Sequence, residues 1–109
     1  MDDHRALGRK MHAAFNARDF AAGVELFAPD FISHPLGTTG RESIQRAWVA
    51  IAERYPELRT EIEHILVDGE TVAIHARLHG AAEPAQMVEV FRVEDGRIAE
   101  LWGLSDLAR

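Results

Sequence analysis

The spacing of apolar and polar positions changes character halfway along the chain. Leu7, Met11, Ala14 and Phe15 recur at helical spacing, which predicts an amphipathic helix over residues 3–17. Asp19 is placed to cap a second, short helix carrying Phe20, Val24 and Phe27, with Pro29-Asp30 ending it. Residues 31–40, FISHPLGTTG, are rich in turn formers and read as a loop. A third helix is expected over residues 41–54, with Ile44, Ala47, Trp48, Ile51 and Tyr55 on its apolar face and Pro56 as its stop. Beyond Pro56 the period drops to two. Residues 59–67 and 71–79 read as strands joined by an Asp68-Gly69-Glu70 turn. Residues 87–103, MVEVFRVEDGRIAELWG, read as a β-hairpin turning at Asp95-Gly96.

Three helices followed by four strands, segregated rather than alternating, argue for an α+β fold with an antiparallel sheet of about four strands. Helices covering one face of a curved sheet would enclose a pocket. In the first strand Thr60, Ile62, His64 and Leu66 alternate with Glu61, Glu63, Ile65 and Val67, so neither face is cleanly polar. Burial on both faces is the physical reading of such a strand, and it predicts a homodimer through the sheet's outer face.

Composition narrows the function classes. The 109 residues suit one domain, 1–109. The formal net charge is −6 and no Lys/Arg cluster occurs, which disfavours nucleic acid and anionic membranes. With no cysteine there is no disulfide and no thiolate chemistry, as suits a reducing cytoplasm. The charged start, MDDHRALGRK, is no signal peptide, and no apolar run reaches transmembrane length.

The hairpin also carries the first candidate for chemistry. Strand alternation puts Glu89 on one face with Met87, Phe91 and Val93. A carboxylate in an apolar row stands at a sheet edge or looks into a cavity; the bland alternative is a solvated or dimer-facing Glu paired with an Arg. On the neighbouring strand Val72, Ile74, Ala76 and Leu78 share one face, and Ala73, His75, Arg77 and His79 share the other; parity alone leaves open which face is wet. The facing of Trp102 depends on the turn. A two-residue turn places Trp102 opposite Glu89, and a three-residue turn with Gly96 left-handed places Leu101 there.

Three segments resemble the SnoaL-like polyketide cyclase family of the nuclear-transport-factor-2-like (cystatin-like α+β cone) superfamily. FISHPLGTTGRESI resembles the family's His-Asn-Pro loop leading through a Gly to the third helix. VDGETVAIHARLHG resembles its Gly-Asp-x-Val-x-x-His strand. VEVFRVEDGRIAELWG resembles its Asp-Ile-Phe-Arg and Gly-Lys-Ile-Val-Glu-His-Trp-Asp segments. The family's acidic residue falls on Glu89, its His before Trp on Leu101 and its Asp after Trp on Gly103, while the Asn between His34 and Pro35 is missing. The resemblance implies a cone-shaped fold, a pocket and a homodimer packed through sheets. It favours the turn that sets Leu101 opposite Glu89, puts His75 in the pocket and aims His34 at the cavity mouth.

On that resemblance the chain is expected to be a small acid/base protein acting on an apolar carbonyl compound, as polyketide cyclases and ketosteroid isomerases do. A single carboxylate, Glu89, can take a proton from carbon and return it to oxygen if its surroundings are apolar. His75 and His34 would orient oxygens; an imidazole near a carboxylate is favoured in its charged form. Trp48, Tyr55, Phe91, Met87, Leu101 and Trp102 would form hydrophobic walls, although core packing is the default explanation of Trp48 and Tyr55. The alternative is a non-catalytic binder of a hydrophobic small molecule, or a dimerisation module. No cofactor motif is present: there is no phosphate loop and no serine elbow. No metal site is expected, because His75 and His79 on one strand would lie ~13 Å apart. His4 and His12, eight apart on the first helix, need no role in this reading.

Overall fold

In the computed structural model, which describes residues 4–107, the first helix is α1, His4–Asn16; the expected start at Asp3 lies outside the described residues. Its buried stripe is Gly8, Met11, His12 and Phe15. This is the predicted amphipathic helix turned by about one position, with Leu7 and Ala14 only half-buried. Gly8 matters here: a Cβ on it would fall 2.7 Å from Ile74 Cδ1, so the missing side chain lets α1 settle close on the sheet. Arg18, in a left-handed turn after α1 (φ 60°), donates to Phe15 O, Pro56 O and Leu58 O. Those bonds pin the end of α1 to the chain entering the first long strand.

Asp19 caps α2, Phe20–Val24, accepting from the Ala22 amide. The next segment departs from expectation. Residues 27–33 form a strand, β1 (Phe27–Ser33), and Thr38–Thr39 form a short β2. Phe27 therefore belongs to a strand rather than to the second helix. Pro29-Asp30 looked like a helix stop, but the β1–β6 ladder is irregular between Phe27 and Ile32, where proline's missing amide is tolerated. α3 spans Glu42–Arg54.

The sheet has six strands, not about four, in the order β2-β1-β6-β5-β4-β3, with β3 Arg59–Asp68, β4 Thr71–His79, β5 Ala85–Glu94 and β6 Arg97–Ser105. All neighbours are antiparallel except β1 and β6, which are parallel. Bulges bend strands and sharpen their twist; here they interrupt β3 between Ile62 and His64 and displace the β5–β6 register after Arg92. The helices pack on the concave side, over a core of Phe27, Phe31, Val72, Ile74, Phe91 and Ile98.

The β3 bulge corrects the reading of that strand. Ile62 before it and Ile65 and Val67 after it pack toward the core, while Leu66 is 68% exposed. The mixed alternation thus records a shift in register, with Leu66 on the outer face of the lone chain.

The β5–β6 turn is the two-residue form, but a bulge after it changes which residue faces Glu89. Asp95 (φ 52°) and Gly96 (φ 76°) make a two-residue turn with both residues left-handed. Val93 pairs with Ile98, but Arg92 pairs with Glu100, leaving Ala99 as an extra residue. The insertion moves Gly103, not Trp102 or Leu101, opposite Glu89.

Candidate functional site

Glu89 sits in the middle of β5, flanked in register by Ile74 on β4 and Gly103 on β6. Its face is the concave one, with Met87, Phe91 and Val93, and it is 6% exposed. Among the described residues no arginine bonds it. Its partner comes from α1: His12 Nε2 lies 2.5 Å from Glu89 Oε1, between side chains that are 8% and 7% exposed. His12 Nδ1 lies 2.8 Å from Thr60 Oγ1 at the start of β3. Asn16, one turn beyond His12, donates from Nδ2 to Thr60 O at 2.9 Å and accepts the Thr60 amide on Oδ1 at 2.8 Å. A line of polar groups therefore runs from the exposed end of α1 to the carboxylate in the core. Burying this pair costs desolvation of both partners, which the short contact and the Thr60 bond offset only in part.

The elements that position the pair are readable from local physics. Leaving out a side chain at Gly8 brings α1 onto Ile74 and Phe91, and His12 follows one turn later on the same stripe. Arg18 and Asn16 lock the helix end to Leu58 and Thr60. Gly103 leaves the concave surface beside Glu89 without a side chain; a Cβ there would meet Glu89 Cβ, Val88 O and Leu101 Cδ2 at ordinary contact distances of 3.5–3.7 Å. The His12 contact falls on Oε1 of the carboxylate, and among the described residues no buried side-chain nitrogen or oxygen is left without a partner.

The other candidates separate. Phe91 and Leu101 are buried opposite one another on the concave side, with Met87 half-buried beside them. Trp48 packs edge-on against Phe15 and Phe27, with ring centroids 5.8 Å away in both cases, as a core residue. Tyr55 borders the second core cluster under the Arg54 guanidinium. His75 does not join Glu89. Its strand buries Val72, Ile74, Ala76 and Leu78, so His75 points to the convex face, where Nδ1 lies 3.1 Å from His64 Nδ1 and Nε2 lies 2.6 Å from Gln86 Oε1. His34 is also on the outside. It bonds Glu100 Oε2 at 2.7 Å and stacks on Trp102 with centroids 4.8 Å apart and planes within 6°. The Ala99 insertion turns Trp102 outward as well, and it is 40% exposed. The His34 bond, with help from Arg92, holds the Glu100 carboxyl below its ordinary value despite partial burial.

His12 was overlooked because it reads as a polar interruption beside Met11. The available signal was its spacing of four from Gly8 and three from Phe15, which places it on the buried stripe. Two surface hollows of about 400 Å³ each lie elsewhere, one along the outer side of α3 at Arg46 and Val49, the other on the convex sheet at His75, Val88 and Leu104.

Comparisons with known proteins agree with this architecture. The SnoaL-like domain family matches residues 9–101. IdmH of Streptomyces antibioticus, a candidate polyketide cyclase, is 26% identical, superposes with a TM-score of 0.87, and the match covers 96% of this chain and 93% of that one. A candidate polyketide cyclase of Sinorhizobium meliloti is 28% identical with a TM-score of 0.81, over 91% of this chain and 94% of that one. A cystatin-fold protein of Novosphingobium aromaticivorans, 21% identical with a TM-score of 0.81 over 95% and 99% of the two chains, shares the fold. No curated protein sequence matches the chain.

Proposed function

The chain belongs to the SnoaL-like domain family, and from that premise we propose that it is a small acid/base protein acting on an apolar carbonyl compound, with Glu89 as proton shuttle and His12 as its partner. The observation that carries this is the 2.5 Å contact between His12 Nε2 and Glu89 Oε1 inside the cone. A fold this small does not gain stability from a buried ion pair over an apolar pair of the same volume, so chemistry is the better account of it. Similarity to candidate polyketide cyclases supports this choice of substrate class.

In this reading Oε2 takes a proton from the carbon next to a substrate carbonyl. The C–H electrons move into the enolate, and the new carbon–carbon or carbon–hydrogen bond forms from that enolate. The same carboxyl then returns the proton to the product oxygen or carbon, so the sum needs no co-reactant. The proton between Oε1 and His12 Nε2 moves toward whichever atom is left more basic, which keeps the pair's total charge constant apart from the substrate proton. In this reading the substrate would approach the carboxylate from the Gly103 side, where β6 carries no side chain beside Glu89. His75 and His34 take no part.

Hydrogen–deuterium exchange at the α-carbon of 2-tetralone, an apolar aromatic ketone, tests this. Glu89→Gln should slow exchange by about 10²–10⁴-fold without abolishing binding of the ketone. Equal rates in the variant reject the shuttle role.

A second reading, a non-catalytic binder or dimerisation module of the same fold, is favoured by Leu101 and Gly103, which stand where the family carries polar groups. Ketone binding without any exchange in the unaltered protein selects it. Both readings include a homodimer through the convex face, where cross-strand neighbours Val88–Leu104 and Val90–Trp102 form an apolar stripe and Leu104 is 82% exposed.

A further inference from the structure

Asn16 and Thr60 do more than tie α1 to β3. The Asn16 amide can face only one way: its Oδ1 accepts the Thr60 N–H at 2.8 Å and its Nδ2 donates to Thr60 O at 2.9 Å. That orientation places a second acceptor contact, Oδ1 to Thr60 Oγ1, at 3.4 Å. The threonine hydroxyl has one proton. Pointed at His12 Nδ1, it would leave two oxygen lone pairs facing each other; pointed at Asn16 Oδ1, it leaves a lone pair on Oγ1 toward the imidazole. With the hydroxyl proton on the Asn16 side, His12 Nδ1, 2.8 Å from Oγ1, is the donor of that contact.

We infer that Asn16 and Thr60 are positioning residues that keep a proton on His12 Nδ1, so that Nε2 shares the other proton with Glu89. This rests on the reading of His12 and Glu89 as the acid/base pair and says how their proton is poised. A neutral histidine beside a carboxylate normally turns its single N–H toward that carboxylate. Here the clamp opposes that choice by offering an acceptor on the far side. The favoured state holds two protons across the assembly, one fixed on Nδ1 and one between Nε2 and Oε1. The pair is then able to receive a substrate proton on one oxygen while passing its shared proton to the imidazole. Ring orientation follows from the same bonds, because Thr60 sits on the strand that Asn16 grips.

The test is long-range ¹H–¹⁵N correlation NMR of the His12 ring in the resting full-length protein at neutral pH. It needs no substrate, so it separates this inference from the functional reading. The expected result is a protonated-type Nδ1 resonance in the unaltered protein. Thr60→Val should leave Nδ1 unprotonated, its proton released to solvent, with the proton shared by Nε2 and Oε1 as the one that remains; Thr60→Ser should restore the original pattern. Asn16→Leu reports the same loss from the helix side if Thr60→Val does not fold. An unprotonated Nδ1 in the unaltered protein overturns the inference, and so does a folded Thr60→Val or Asn16→Leu protein whose Nδ1 stays protonated. A merely structural clamp would change stability in these variants and leave the tautomer untouched.

Discussion

His12 and Glu89, 77 residues apart in the chain, meet through a 2.5 Å contact inside the cone, and neither is more than 8% exposed at its side chain. Removing one member strands the other. Glu89→Leu or His12→Leu alone should therefore cost about 3–5 kcal/mol in urea unfolding, because each leaves a buried polar group without a partner. The double variant should recover most of that loss. A double variant no more stable than either single one would show that the pair is needed for folding.

Gly103 is the empty position beside the carboxylate. Since an added Cβ meets neighbours only at 3.5–3.7 Å, Gly103→Ala should fold and gain about 0.5–1 kcal/mol from lower chain entropy in the unfolded state. Gly103→Leu should extend over Glu89 and weaken ketone binding in calorimetric titration, while the His12 resonances keep their positions.

Gly80 closes β4 with φ +90°, and a Cβ there would fall 2.0 Å from the Glu57 carbonyl oxygen, a backbone atom that has little freedom to move. Gly80→Ala should be destabilising by more than the ~1 kcal/mol of an ordinary unfavourable left-handed residue, read as a lowered midpoint in thermal unfolding.

Glu100 gives a pH prediction. His34 first, and Arg92 after it, hold its carboxyl below 4.5 in the folded chain. A depressed carboxyl contributes stability above its unfolded value, and that contribution disappears as pH falls through the folded value. Acid titration by carbon-13 NMR should place the Glu100 midpoint below 4.5 and move it upward in His34→Ala. An unchanged midpoint in the variant would assign the effect to Arg92 alone.

Leu104 and Val88 stand side by side on the convex sheet. Leu104→Glu should give a monomer in light scattering at concentrations where the unaltered protein is a dimer, because a charge at the centre of an apolar interface is left unpaired. A monomeric unaltered protein removes the interface.

Much of the frame was legible in the residues. β4 alternates so regularly that its bounds were read to the residue, and the Met87–Glu89–Phe91–Val93 row faces inward as its pattern requires. β1 was hidden by Pro29-Asp30, whose local preferences favour a turn; tertiary pairing with β6 overrode them. The β6 bulge was not legible at all, and the β3 bulge showed only as a mixed alternation that does not locate it. One inserted residue reverses every later side chain, and nothing in Ile98–Ala99 announces it. The site suffered from the same blindness. Glu89 was found because a charge in an apolar row is conspicuous. His12 was missed because its partner lies on an element whose contact with α1 only the assembled fold reveals.

The residue Ala99 has a consequence for how such a domain diversifies. Deleting it would slide the remainder of β6 by one place and bring the indole of Trp102, rather than a bare glycine, against the shuttle oxygen. A one-codon loss would exchange a position without a side chain for a bulky one, and would turn Leu101 out into water in the same stroke. Length changes in this hairpin are thus a coarse dial on what the interior can admit, acting before any point substitution in the lining is tried.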